Sequence, residues 1–523
     1  MPKIAIYDTT LRDGTQGEGV SFSAEEKLKV ARKLDAFGVA YIEGGWPGSN
    51  PKDVEFFELA KKVGFETSKL TAFGSTRRAN LTAAEDPQIL KLIEAETPTV
   101  TLFGKSWDMH VTEVFRISLD ENLEMIYDSI KYLVDNGREA IFDAEHFFDG
   151  YKRNPKYALS ALDAAARAGA AVLSLCDTNG GTLPSEVADV VRVVVDRHPN
   201  ISVAMHAHND SGLAIANSVA AAQNGATQVQ GTINGYGERC GNANTCAIIP
   251  ILELKLGMKC VPDGALKNLT ALSRWLDEIA NRIPDYAMPF VGASAFAHKA
   301  GVHVDAVTKN PTTYEHVDPA EVGNRRRFLI SELAGSSSVV QKARKYDIDL
   351  GKKSPEVKAV LNRVVQLEHQ GYSFEDAEAS FELLLKKAMG QYEKLFELVG
   401  FRLIVEKRGP QEAPITEATL KIAVDGVEAF TVAEGDGPVH ALDNALRLAL
   451  KQFYSYELDG IRLSDYKVRV VNSGEGTAAR VRTIIESRDA TDSWSTVGVS
   501  TNIIEASWHA LADSVEYGLL RQK

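Results

Sequence analysis

The sequence is poor in cysteine. Its four cysteines, Cys176, Cys240, Cys246 and Cys260, form no C-x-x-C pair. A disulfide framework is therefore not expected, and a reduced, cytoplasmic setting is the natural reading. Long apolar runs are missing too: none approaches the ~18 residues that a membrane helix needs. The chain enters Lys3-Ile4-Ala5-Ile6-Tyr7-Asp8 without a basic and apolar leader, so neither export nor membrane insertion is expected. Nor is there an excess of positive charge. Lys and Arg number 58 against 71 Asp and Glu, for a formal net charge of -13. That balance argues against nucleic acid or an anionic membrane as the main partner, while local basic patches can still meet a small anionic ligand. No low-complexity segment occurs, and no G-x-G-x-x-G follows the first strand-like run.

What is present is the composition of an ordinary globular protein, 523 residues with 44% hydrophobic and 25% charged. This length accommodates two to four domains with a large buried core. Up to about residue 265, short β-like runs alternate with amphipathic helical stretches. The runs are 3–7, 41–44, 70–73, 100–103, 140–142, 172–175, 203–205 and 229–233, and the helical patterns include 24–37, 123–136, 157–168, 185–197 and 212–224. Ser23, Pro184 and Ser185 read as helix starts, and Gly38, Gly137, Gly169 and Gly225 as stops. Eight β/α units in this length match a TIM barrel, with an open doubly wound sheet as the second choice.

The expected organisation is an α/β barrel over 1–265, a mostly helical linker region over 266–408, and an α+β domain over 409–523. Lys352 to about 400 reads as mostly helical, and the stretch around Arg408-Gly409-Pro410 as a linker. After it, two halves each read strand, strand, glycine-rich turn, helix, which suggests a duplicated module.

In a barrel, the tips after the strands meet at one face, where active sites form. These tips carry Asp8-Thr9-Thr10-Leu11-Arg12-Asp13, Glu43-Gly44-Gly45-Trp46, Asp143-Ala144-Glu145-His146, Asp177-Thr178-Asn179, His206-Ala207-His208 and Gly237-Glu238-Arg239-Cys240-Gly241-Asn242. His206 and His208 are two apart on a strand, so they share a face. With Asp13 they form one carboxylate and two imidazoles, a set suited to Zn, Mn, Fe or Co and less to Mg. Asn242 can add an amide oxygen directly or through water. Arg12 either orients Asp13 through a salt bridge or stabilises oxyanion charge on a substrate carbonyl, and the second role is given more weight. Thr178 either donates to a substrate carboxylate or caps the next helix. Glu145 points into the same mouth, where it positions substrate, acts as a base, or holds a water near the ion.

The segments Asp8–Gln16, His206–Asp210 and Gly235–Asn244, in this order, resemble the Claisen-condensing metallo-enzymes that include the isopropylmalate, homocitrate and citramalate synthases. The resemblance continues through His298-Lys299-Ala300-Gly301-Val302-His303-Val304-Asp305 and Tyr314-Glu315-His316, which are similar to the segment that covers the partner subunit's active site in that family. The stretches 43–53 and 142–151 resemble its citramalate-forming branch, and Gly435–Val439 and Thr501–Ser507 resemble its amino-acid-sensing domain.

The resemblance implies condensation of acetyl-CoA with pyruvate and water on a divalent ion, Mn, Mg, Zn or Co. The implied ion ligands are Asp13, His206, His208 and Asn242; Arg12 and Thr178 bind substrate; Arg12, Glu145, His303, Asp305 and Tyr314 serve catalysis. It also implies a homodimer with shared active sites and feedback inhibition by isoleucine. The nearest alternative is an isopropylmalate synthase with 2-oxoisovalerate as acceptor. More distant ones are a metal-dependent aldolase or lyase and a non-haem iron oxygenase.

Overall fold

The computed structural model describes residues 2–522 apart from 331–335, 347–349, 352–353, 455–457, 459, 472–477 and 490–491. Lys352, the first residue of the expected helical stretch, lies outside the described residues. The chain forms two units, Met1–Phe296 with Val317–Arg325, and Ala297–His316 with Arg326–Lys523.

In the first unit β1 (Ala5–Asp8), β2 (Tyr41–Gly45), β3 (Lys69–Ser75), β4 (Thr99–Lys105), β5 (Glu139–Glu145), β6 (Val172–Asp177), β7 (Ser202–Ala207) and β8 (Gln228–Gly231) close into a barrel in sequence order. All neighbouring pairs are parallel, and β8 pairs with β1 to complete the ring. Between and after the strands run α1 (Ala24–Phe37), α2 (Pro51–Ala60), α3 (Pro87–Glu94), α4 (Leu119–Asp135), α5 (Phe147–Arg153), α6 (Pro155–Ala168), α7 (Pro184–Arg197), α8 (Ala214–Gln223), α9 (Thr245–Pro250) and α10 (Leu269–Ile279). The expected barrel is thus observed.

Local chemistry sets the helix ends. Ser23 Oγ accepts from Glu26 N at 3.2 Å while the Glu26 carboxylate accepts from Ser23 N at 2.8 Å, a capping box that starts α1. Gly38 ends it at φ 94°, in the left-handed region, and a Cβ there would also sit 2.3 Å from Pro262 Cδ.

The two-residue period of each strand divides its side chains between two cores. Ile6, Ile42, Val203, Met205 and Val229 face outward into the core shared with the helices. Tyr7, Ile141, Val172 and Ala204 form a separate cluster that plugs the barrel, with Tyr41 against it. Two residues further along, the same inward-facing positions turn polar, with Asp143, His206 and then Glu145. His206 stands opposite Cys176 on β6 and Gln230 on β8. The barrel is therefore plugged by an apolar cluster below and carries ionisable groups above.

In the second unit β9 (Ala297–His298) pairs in parallel with β10 (Arg327–Phe328), and α11 (Gly301–Lys309) follows β9. Helices α12 (Ser336–Lys345), α13 (Pro355–His369) and α14 (Glu378–Ala388) share a core built from Val339, Val360, Val364 and Phe381. The module beyond is duplicated. Antiparallel β11 (Glu397–Glu406), β12 (Ile415–Val424) and β13 (Val427–Gly435) lead into α15 (Pro438–Leu450). Antiparallel β14 (Arg462–Val470), β15 (Val481–Arg488) and β16 (Ser493–Ser500) lead into α16 (Ile503–Gln522). Each half has one strand more than expected. β11 takes over the end of the expected helical stretch, because Phe401 and Leu403, two apart, face the module's core. The stretch around Arg408-Gly409-Pro410 turns between β11 and β12, which pair from Glu397↔Ala423 to Glu406↔Ile415. Among the described residues no helix is long and apolar enough to cross a membrane.

Candidate metal centre and active site

β1 and β7 bring the three expected ligands together. Asp13 Oδ2 lies 3.2 Å from His206 Nε2 and 3.9 Å from His208 Nε2, and the three side chains offer atoms within 4.8 Å of one another. All three are buried. Asn242 bridges to His208 through the backbone and donates Nδ2 to Asp13 Oδ2 at 2.7 Å. That bond fixes the amide's orientation and leaves Asn242 Oδ1 buried without a partner, as is His208 Nδ1. Neither atom faces the cluster: Asn242 Oδ1 packs toward Gly237, and Nδ1 is the ring nitrogen of His208 away from Asp13. Two imidazoles and a carboxylate around one point are a donor set that a divalent ion satisfies, so these three residues fit the group. The loop bearing Asn242 needs its glycines. Gly237 sits at φ 156° and Gly241 at φ 87°; a Cβ would lie 2.3 Å from Asn242 Oδ1 and 2.1 Å from Gly235 O respectively.

The electrostatics suit a cation. Burial alone would raise Asp13, but the Arg12 charge and the hydrogen bond to His206 outweigh it and hold the carboxyl well below the usual range. Burial, then the neighbouring His206, pushes His208 down to about 4, so its ring is neutral at ordinary pH. Burial pulls His206 down as well, yet the hydrogen bond and charge of Asp13 raise it overall.

Arg12 is held chiefly by Glu43, its Nε donating to Oε1 at 2.6 Å, with Asp13 Oδ1 at 3.5 Å from NH1. Its guanidinium carbon lies 3.7 Å above the Phe73 ring. Glu43 is buried and also accepts from Thr9 Oγ1 at 2.5 Å and from the Tyr7 hydroxyl. The salt bridge to Asp13 alone therefore does not account for Arg12's placement. Thr178 Oγ1 accepts from His146 N at 2.9 Å, which leaves its own O–H available to donate. It does not cap the next helix: α7 begins after Leu183, and Asp177 is the residue that binds Thr182. Glu145 is ion-paired with Lys105 Nζ.

These groups surround a cavity of about 270 Å³ at the barrel mouth, with Arg12, Asp13, Thr178 and Glu145 along it. One wall is aromatic. Phe73 and Phe103 stack at 5.5 Å, and Trp46 meets both edge-on at 84° and 80°. His303, Asp305 and Tyr314 belong to the second unit. The His303 and Tyr314 rings stack at 4.1 Å. Asp305 accepts from Lys309 Nζ at 2.7 Å and Ser337 Oγ at 2.9 Å. Glu315, next to Tyr314, is gripped by His298 Nε2 at 3.0 Å and Arg326 Nε at 2.6 Å.

Sequence reasoning assigned no role to Glu43, Lys105, Phe73, Phe103, Asp143 or Gln230. For the last two a signal existed, since polar residues at inward positions of otherwise apolar strands mark the layer beneath a site. For Phe73 and Phe103 there was none, because an aromatic residue in a strand reads as core.

Comparison with known proteins agrees with this geometry. A family model described as HMGL-like matches residues 3–275, one described as homocitrate synthase post-HMGL domain-like matches 290–372, and one described as LeuA allosteric (dimerisation) domain matches 375–519. The chain is 54% identical to an (R)-citramalate synthase of Aquifex aeolicus, over 100% of this chain and 98% of the relative. It is 53% identical to one of Geobacter sulfurreducens, over 99% and 98%. A probable 2-isopropylmalate synthase of Methanopyrus kandleri is 30% identical over 98% of both. The chain belongs to the (R)-citramalate synthase family, with an HMGL-like barrel and a LeuA-type C-terminal domain.

Proposed function

We propose that this chain condenses the acetyl group of acetyl-CoA with pyruvate and water to give (R)-citramalate and free CoA. The observation that carries this reading is the juxtaposition of a buried Asp13-His206-His208 cluster with the Arg12 guanidinium at one small, aromatic-walled cavity. A divalent ion held by Asp13, His206 and His208, with Asn242 adding its amide oxygen once its side-chain amide turns over, would act as a Lewis acid toward a 2-oxo acid.

The chain's own groups do the rest. Arg12 directs its free donors at the keto oxygen and stabilises the alkoxide charge that grows there as the new carbon–carbon bond forms. The Thr178 hydroxyl donates to the substrate carboxylate. The thioester methyl is a very weak acid, so a base must stand close to it. Glu145, paired with Lys105, assists at the acetyl group. His303, working with Tyr314 and Asp305, moves a proton or activates the hydrolytic water at a neighbouring subunit's barrel. The aromatic wall of Trp46, Phe73 and Phe103 favours a methyl over an isopropyl substituent, in keeping with pyruvate as acceptor.

The duplicated module supports self-association into a homodimer and inhibition of the full chain by isoleucine, a coupling of two distinct sites. The test of the reaction is release of free thiol from acetyl-CoA. Thiol is expected only when pyruvate and a divalent ion are both supplied, and its release without an acceptor, or its absence with pyruvate, would count against the condensation. Inhibition by leucine in place of isoleucine would shift the reading toward isopropylmalate formation.

A further inference from the structure

From the ligand His206 a hydrogen-bonded chain runs into two side chains of the inward layer to which the reaction as proposed gives no part, Gln230 and Asp143. His206 Nδ1 lies 2.8 Å from Gln230 Oε1, its register partner on β8. Gln230 Nε2 donates to Asp143 Oδ1 on β5 at 3.1 Å, with Gln228 Oε1 more distant at 3.5 Å. All of these side chains are buried.

The direction of each bond follows from its neighbour. The Asp143 carboxylate faces the Gln230 amide as an acceptor, so it draws the amide NH₂ toward itself. The amide oxygen is then turned to His206, and an oxygen can only accept. Nδ1 must therefore carry the proton. In the neutral ring this leaves the Nε2 lone pair pointing at Asp13 Oδ2, 3.2 Å away, an arrangement of two lone pairs that calls for a cation between them.

We propose that Gln230, oriented by Asp143, is a positioning residue that fixes His206 in its Nδ1–H tautomer and so presents Nε2 to a divalent ion. This rests on the metal reading above. A flipped amide would donate to Nδ1, place the proton on Nε2, and block that ligand.

Four measurements test it. In titrations with Mn or Zn alone, Gln230→Leu is expected to bind the ion about 10- to 100-fold more weakly, the range typical of partners that orient a metal-ligating histidine. Asp143→Leu, which frees the amide to turn, is expected to do the same. The pair Asp143→Asn with Gln230→Glu reverses the donor while keeping an acceptor on Nδ1, and is expected to recover most of the affinity. In the unsubstituted protein at alkaline pH, ¹⁵N resonances of His206 are expected to show a protonated Nδ1 and an unprotonated Nε2. Wild-type affinity in Gln230→Leu, or an Nε2–H tautomer in the unsubstituted protein, would overturn the inference while leaving the metal centre intact. Failure of the unsubstituted protein to bind any divalent ion would overturn both.

Discussion

Arg12 has two separable jobs, and substitutions can pull them apart. Its Nε–H is committed to Glu43 at 2.6 Å, while NH1 is 3.5 Å from Asp13 and the group lines the cavity. Arg12→Gln removes the positive charge from between two buried carboxylates, Glu43 and Asp13. Breaking a buried ion pair by deleting one partner costs about 3–5 kcal/mol, so this variant is expected to unfold at clearly lower temperature. Asp13 also loses the charge that depresses it, and ion binding is expected to weaken. Arg12→Lys keeps the charge but has one compact ammonium where the guanidinium has a fork, so it cannot hold Glu43 and a keto oxygen together. Loss of one donor to a developing oxyanion typically lowers kcat by about 10²- to 10³-fold. The expected pattern is a large drop in thiol release for both variants, with a large loss of thermal stability only for Arg12→Gln. Near-normal turnover in Arg12→Lys would refute the oxyanion role. Unchanged melting in Arg12→Gln would refute the charge-balancing one.

Phe103→Ala opens the aromatic wall and keeps Phe73, the ring beneath Arg12, while removing that ring's stacking partner. The ratio of kcat/KM for pyruvate over 2-oxoisovalerate should fall, by about 10-fold or more if pocket discrimination is worth about 1–3 kcal/mol per methylene; an unchanged ratio would remove Phe103 from specificity. Because Asp13 raises His206, an ion must displace a proton from it in acid. Ion affinity measured against pH should therefore rise with pH up to the pKa of His206 and then level off, and a flat profile would mean that His206 is not a ligand. Mixing a His303→Ala chain with an Arg12→Lys chain should restore part of the activity that each lacks alone; no rescue would remove the shared-site proposal.

The eight strands and the meeting of Asp13, His206 and His208 at one point were legible because both rest on the periodicity of a parallel barrel. His206 and His208 are two apart on β7, and a parallel barrel delivers strand tips to one face, so Asp13 arrives with them. Strand β11 of the C-terminal module was not legible from pattern alone. Leu398, Val399, Ile404 and Val405 are all largely exposed in the described chain, so apolar residues there do not trace one buried face and the run imitates the end of a helix. Arg12's anchoring by Glu43 was hidden for another reason. It pairs residues 31 apart through a barrel register that only the closed ring fixes. The orienting role of Gln230 is of the same kind, set by alignment across β7 and β8 rather than by anything adjacent in sequence.

The identity of the acceptor decides between citramalate and isopropylmalate formation. Initial rates of thiol release, with the product identified, can be measured on the full chain with pyruvate and with 2-oxoisovalerate under saturating divalent ion. Citramalate formation at a kcat/KM well above that for 2-oxoisovalerate is expected. A higher value for 2-oxoisovalerate, with isopropylmalate as the product, would contradict it.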